Sequence, residues 1–333
     1  MSDKRWTHQS TQKIATCLTE SGITVCATVV RRLLHQLGYS LKANKKCLSA
    51  GNSPDRDPQF CVINRLRQEF AQPGDPVISV DTKKKELIGL FKNPGQTWSA
   101  SGQAQKVRDH DFRSEAIGIA APYGIYDLAR NFGFVVVGQS ADTPEFAANS
   151  ILTWWQTHGR EHYPNAKRLL ILADGGGSNG ARPRAWKKFL QEKLADGCNL
   201  TVTVAHYPTG ASKWNPIEHR LFSEISKNWA GRPLESFDTA VNLIAQTTTK
   251  TGLHVDACRD QRVYEKGIKV SDKQMQTLKL AKSEFLGKWN YTISPRESCR
   301  CRQSAPAPEA IIPIPQAQQP IPVTKKQYAG AKM

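Results

Sequence analysis

The spacing of apolar positions changes character twice along the chain. Over Thr11–Glu20 and Val25–Leu37 they recur at helical period, which predicts two helices joined at Ser21-Gly22 and ended by Gly38. Ile14, Cys17 and Leu18 mark one face of the first helix, while Ile23, Val29, Leu33, Leu34 and Leu37 are expected to supply a small core. Helical period returns over Gln59–Ala71, with Phe60, Ile63, Leu66 and Phe70 on one side. Beyond that point the pattern breaks into short apolar runs bounded by turn residues. Val77–Val80, Glu86–Lys92, Tyr123–Gly138 (as strand, turn, strand), Leu169–Ala173 and Leu200–Ala205 read as strands. Helices are predicted over Pro144–Gln156, with Thr143 as N-cap, and over Pro183–Ala195, Pro216–Trp229 and Phe237–Thr248.

Three strands, a helix, a strand, a helix, a strand and further helices make an α/β chain. The order is that expected of a ribonuclease H-like mixed sheet flanked by helices, here preceded by an all-α helix-turn-helix segment. Residues 1–50 are read as that segment, 51–75 as a linker and helix, and 76–293 as the ribonuclease H-like domain. The stretch 294–333, rich in Pro, Ala and Gln, cannot build a core and is expected to be disordered. No repeat of solenoid length occurs.

Charge narrows the partner. A formal net charge of +17 points to a polyanion, with nucleic acid favoured. The polar and basic side of the second helix, including Thr28, Arg31 and Arg32, suits a recognition helix in a DNA major groove. An ordinary helical hairpin is the competing reading. No apolar run is long enough to span a bilayer and the N-terminus has no signal-peptide core, so a cytoplasmic protein without a membrane partner is expected. The eight cysteines form no C-x-x-C pair or zinc-finger array and are expected to be reduced.

Two of the strand-length runs end in an aspartate: PVISVD in Asp81 and LLILAD in Asp174. Asn215-Pro216 then opens a helix with Glu218 in its first turn, and Asn215 suits its N-cap. Acids at the ends of buried strands are costly unless a cation or hydrogen bonds compensate them. Three converging carboxylates suit a pair of Mg²⁺ ions in phosphoryl transfer, with Mn²⁺ able to substitute. Taken singly, each acid also fits a turn, a strand end or a helix dipole. Lys83, Lys84 and Lys85 are candidates for the DNA backbone near the scissile site, and Asn179 in GGGSNG for a phosphate. His206 and His219 lie near the same elements. No constellation singles out a covalent nucleophile.

With VISVDTKKKELIG, ILADGGGSNG, SKWNPIEHRLFS and WNYTISP in this order, the chain resembles bacterial insertion-sequence transposases of the DDE class, the ISAzo-type family, over about Trp6–Pro295. Its Asn-Pro-Ile-Glu run is also similar to the third-carboxylate motif of mariner-like transposases. The resemblance implies a ribonuclease H-like DDE domain, Mg²⁺ dependence, and double-stranded DNA partners, namely terminal inverted repeats and target DNA. It maps the acidic triad onto Asp81, Asp174 and Glu218. Family members usually carry a longer N-terminal region, so a truncated, non-catalytic DNA-binding remnant is the alternative. Acting on two ends implies a homo-oligomer on DNA.

Overall fold

The computed structural model describes residues 7–42, 54–100 and 103–296. The chain divides into two compact units, Met1–Ala50 and Gly51–Met333. The start of the linker and nearly all of the Pro-rich tail lie outside the described residues.

The first unit is a helix pair, α1 (Thr11–Glu20) and α2 (Ala27–Gln36). Ser10 caps α1 by accepting from the Lys13 amide. Gly22 turns the chain at φ +87°, and Gly38 ends α2 at φ +79°, both in the left-handed region that favours glycine. The core differs from the expected one. Ala15 and Val30 are its buried residues, whereas Ile23, Leu33 and Leu37 are 55%, 42% and 72% exposed. Two helices can bury only the stripe each turns toward the other. In α2 that stripe is Ala27, Val30 and Leu34, one position round from Leu33 and Leu37.

The second unit opens with α3 (Arg56–Ala71). It starts before the predicted Gln59 because Pro58 falls in the first turn, where its missing N–H costs nothing. The strands follow: β1 (Val77–Thr82), β2 (Glu86–Ile88), β3 (Gly118–Asp127), β4 (Phe132–Gly138), β5 (Arg168–Ala173), β6 (Thr201–His206), β7 (His254–Asp260), β8 (Leu280–Lys282) and β9 (Asn290–Ile293). They form a sheet ordered β7-β4-β3-β1-β5-β6-β9-β8, with β2 pairing only β3. β3 runs antiparallel to β1 and β4, while β5 runs parallel to β1 and β6. The central path β4-β3-β1-β5-β6 is the ribonuclease H-like arrangement.

β1 and β5 are buried on both sides, which is why they read as continuous apolar runs. On one face Ile78, Val80, Leu169, Ile171 and Ala173 pack under α4 (Pro144–Trp154) and α5 (Arg184–Phe189). Thr143 caps α4 as predicted. Both helices run on through wider π turns, Trp155–Gly159 and Leu190–Asp196. The other face takes α3 over Val77, Leu170 and Leu172. Beside it lie α6 and α7 (Phe237–Ala245), over Tyr126, Val135 and Val137. The body of α6 is Ser223–Asn228, and its widened first part is Glu218–Phe222. A short α8 (Asp272–Gln276) precedes β8.

One predicted strand is cut short and three strands are additional. The run Glu86–Lys92 is a strand only to Ile88, because Gly89 takes φ +144° and its amide bonds to Leu234 O. β7 was hidden by its charges: His254 and Asp256 face solvent while Val255 and Cys258 are buried. β8 and β9 are too short to show a period.

Candidate active site

Three chain segments meet at the C-terminal end of β1 and β5. In the parallel register Val80 pairs with Ala173, so Asp81 and Asp174 are the next residues on adjacent strands. Both follow the alternation that puts Ser79 and Leu172 on the α3/α6 face. Glu218 arrives from the start of α6, whose seat depends on glycine. Gly124 lies opposite Asp81 in the β1–β3 ladder, and a Cβ there would stand 2.5 Å from Phe222 and 2.9 Å from Ile217. Gly133 on β4 makes the same kind of room for Leu221.

A buried polar chain ties the segments together. Ile217 N–H donates to Ser79 Oγ at 3.3 Å. The Ser79 hydroxyl donates in turn to Asn215 Oδ1. Asn215 Nδ2 then donates to Asp174 Oδ1 at 3.1 Å. Ser79 and Asn215 are fully buried. Asn215 is therefore not the side-chain cap expected of it: Ser79, from the sheet, takes the helix amide, and Asn215 orients an aspartate. Removing the middle of this chain leaves buried donors and acceptors unmet. Ser79→Ala is expected to destabilise the fold by about 1–3 kcal/mol, read as a lower urea midpoint; an unchanged midpoint would show that the relay contributes nothing.

Electrostatics mark the same point. Burial, then the charges of Asp174, Glu218 and Asp142, push the Asp81 carboxyl up to about 8, against one opposing hydrogen bond from Thr82 N–H at 2.8 Å. Asp174 is also raised, by burial and then by Glu218, with the Asn215 amide opposing. Among the described residues no three His, Cys, Asp or Glu side chains are placed, as they stand, to hold a metal ion. The donors nonetheless fit hard divalent cations: acids raised by one another's charge, with few hydrogen bonds among them, are stabilised by a cation that accepts oxygen ligands.

The lysine run divides. Lys84 and Lys85 are exposed, and Lys85 Nζ lies 3.9 Å from Asp142. Lys83 does not fit the phosphate contact expected of it. It is 8% exposed, pairs with Glu86 at 3.0 Å, and sits 4.3 Å over the Trp229 ring. Lys83, Glu86 and Trp229 line a cleft together with Glu218. A buried, paired ammonium has no free face for DNA.

Asn179 likewise departs from its expected role. It is 1% exposed and its amide donates to Val80 O at 3.3 Å, bracing the strand before Asp81, with its Oδ1 left without a partner. His206 is fully buried, its ring pushed down to about 4 by burial. The neutral ring bonds Asp174 O at 2.9 Å and Tyr291 Oη at 3.1 Å, so it fixes backbone rather than a water. The exposed His219 bonds Lys213 O. Thr28, Arg31 and Arg32 are exposed on α2, in the other unit.

Sequence reasoning missed Ser79, Gly124, Asp142 and Tyr123. Two of them carried a signal, a serine and a glycine inside otherwise apolar strands. The Asp142 carboxylate accepts from Thr82 Oγ1 at 3.2 Å. The Tyr123 hydroxyl is buried without a partner, and its ionisation is opposed by burial and by Asp81 and Asp142.

No curated protein matches the chain significantly. Similar solved structures include the Mos1 transposase paired-end complex with left transposon end, at 13% identity, covering 72% of this chain and 70% of that one, TM-score 0.42. The mariner Mos1 paired end complex with Mg matches at 13% identity over 72% and 71%, TM-score 0.42. The catalytic domain of Mos1 mariner transposase matches at 11% identity over 58% and 80%, TM-score 0.36. A family profile reaches much further along the sequence. Residues 1–295 match the Rhodopirellula transposase DDE domain, and the chain belongs to that family of transposases.

Proposed function

We propose that this chain is a divalent-metal-dependent DDE transposase that cleaves DNA at the ends of its element and joins the freed 3′-OH to target DNA. The observation that carries the reading is the meeting of Asp81, Asp174 and Glu218, with Asp81 raised by burial and by the other two acids. Asp81 and Asp174 would share the metals and Glu218 would complete the site. Bound Mg²⁺ or Mn²⁺ would neutralise the attacking and leaving oxygens of an in-line displacement. The protein's own part is positional: the Ser79–Asn215 relay aims Asp174, His206 holds its backbone, and the Gly124 seat brings Glu218 to the strands.

Thr28, Arg31 and Arg32 present a basic helix face for duplex ends, and Lys84 and Lys85 offer exposed charge close to Asp81. Acting on two ends calls for more than one copy on the DNA.

The test is purified protein with labelled DNA from the ends of its own locus, with Mg²⁺, Mn²⁺ or EDTA. Metal-dependent nicking followed by joining is expected. Binding without nicking would identify a non-catalytic remnant, and nicking without joining a nuclease. In the same assay, Arg31→Ala with Arg32→Ala is expected to weaken end binding and lower the slope of log K against log salt by about 2, roughly 0.9 per lost phosphate contact. An unchanged slope would remove α2 from the DNA interface.

A further inference from the structure

A groove of about 980 Å³ begins at Asp174 and runs away from the acidic site. One wall is the glycine loop Gly175–Gly177, and the other is the end of the β8–β9 hairpin with Lys282 and Trp289. Asp174, at its head, is the one acid on its lining, against five lysines and arginines. Two of the five are committed: Arg184 pairs with Asp272 at 2.7 Å, and Lys288 pairs with Asp55. The other three are Arg182, Lys187 and Lys282, which form no ion pair with a carboxylate among the described residues. Lys187 donates to Ala181 O and lies 5.1 Å over the Tyr291 ring. Burial and then the neighbouring Lys282 charge pull it down to about 8.

We propose that this groove seats a single DNA strand, whose phosphates lie along Arg182, Lys187 and Lys282 and lead the reacting phosphodiester to Asp174. The inference rests on the transposase reading of the acidic site. Basic walls alone would accept any polyanion; the rest of the lining selects a strand with unpaired bases. Trp289 is partly exposed, and Met275 and Leu280 add apolar surface beside it. Flat rings and apolar surface inside a basic groove offer bases a stacking platform that a closed duplex cannot use. The glycine wall supports close approach. Gly177 turns at φ +75°, and a Cβ at Gly176 would meet nothing within 4 Å, so that side of the groove is open to a backbone.

The test measures affinity of the full chain for a short labelled oligothymidine in EDTA, where no chemistry intervenes. Arg182→Ala with Lys282→Ala is expected to weaken binding about tenfold and to lower the salt slope by about 1.4, roughly 0.7 per phosphate on a single strand. Arg182 and Lys282 are exposed, so the fold is not at stake. Trp289→Leu is expected to cost about tenfold with the slope unchanged, as loss of stacking requires. Unchanged oligothymidine binding in the Arg182/Lys282 variant overturns the groove, and so does an equal loss for blunt duplex. Nicking of element ends by wild-type protein is scored separately. Strand binding through the groove without any nicking would overturn the catalytic reading alone; nicking with strand affinity indifferent to Arg182 and Lys282 would overturn the groove alone.

Discussion

Asp81→Asn is expected to abolish metal-dependent nicking and at the same time make the metal-free protein more stable at neutral and mildly alkaline pH. Both effects follow from the carboxyl being held up to about 8 by burial and then by Asp174, Glu218 and Asp142. An acid whose folded-state value lies above its unfolded value binds its proton more tightly when folded. Its favourable share of stability is full below about 4 and is lost as pH rises toward about 8. Metal-free wild-type protein should therefore lose stability across that window, and the asparagine variant should lose less. At pH 8 the variant's Tm in EDTA should exceed wild type by about 2–4 °C for each kcal/mol of relieved charge burial. Added Mg²⁺ should raise the wild-type Tm and leave the variant nearly unmoved, because a ligand stabilises only the state that binds it. Affinity for element ends should persist. A variant that nicks, or that melts below wild type in EDTA at pH 8, would remove Asp81 from the centre of the site.

How much of this was readable beforehand depended on which physical term governed each residue. The aspartates stood out because β1 and β5 are apolar on both faces and each run stops at an acid. The helix pair, the cap at Thr143 and the ends at Gly38 were local signals and survive in the structure. Roles set by a distant strand were not readable. Asn215 beside Pro216 has the composition of a cap, yet Ser79, far away in sequence, takes the helix amide and frees the Asn215 side chain for Asp174. Lys83 belongs to a run that looks uniformly solvated, but Lys84 and Lys85 stay outside while Lys83 is buried over the Trp229 ring. Leu33 and Leu37 have helical spacing, which states that a face is apolar and not that something covers it.

Glycine at 124 makes the second large effect, because it governs where the third acid stands. Gly124→Ala would place a methyl group 2.5 Å from Phe222 Cε1 and 2.9 Å from Ile217 Cδ1. Ile217 immediately precedes α6 and Phe222 ends its first part, so the strain is relieved by lifting that turn, and Glu218 moves with it. Overpacking of this kind costs about 1–3 kcal/mol, which a domain of this size should survive folded. The catalytic loss should be larger than the stability loss suggests, since a displacement of about 1 Å at a reacting centre can cost roughly a hundredfold in rate. End-DNA binding should be unaffected. Phe222→Leu in the Gly124→Ala background returns the space without touching an acid, so nicking should recover in the double variant beyond the sum of the single effects. If Gly124→Ala nicks at the wild-type rate, the seat of α6 on β3 does not set the position of Glu218. If the double variant stays as slow as Gly124→Ala, the loss came from the strand carrying Asp81 and not from the helix.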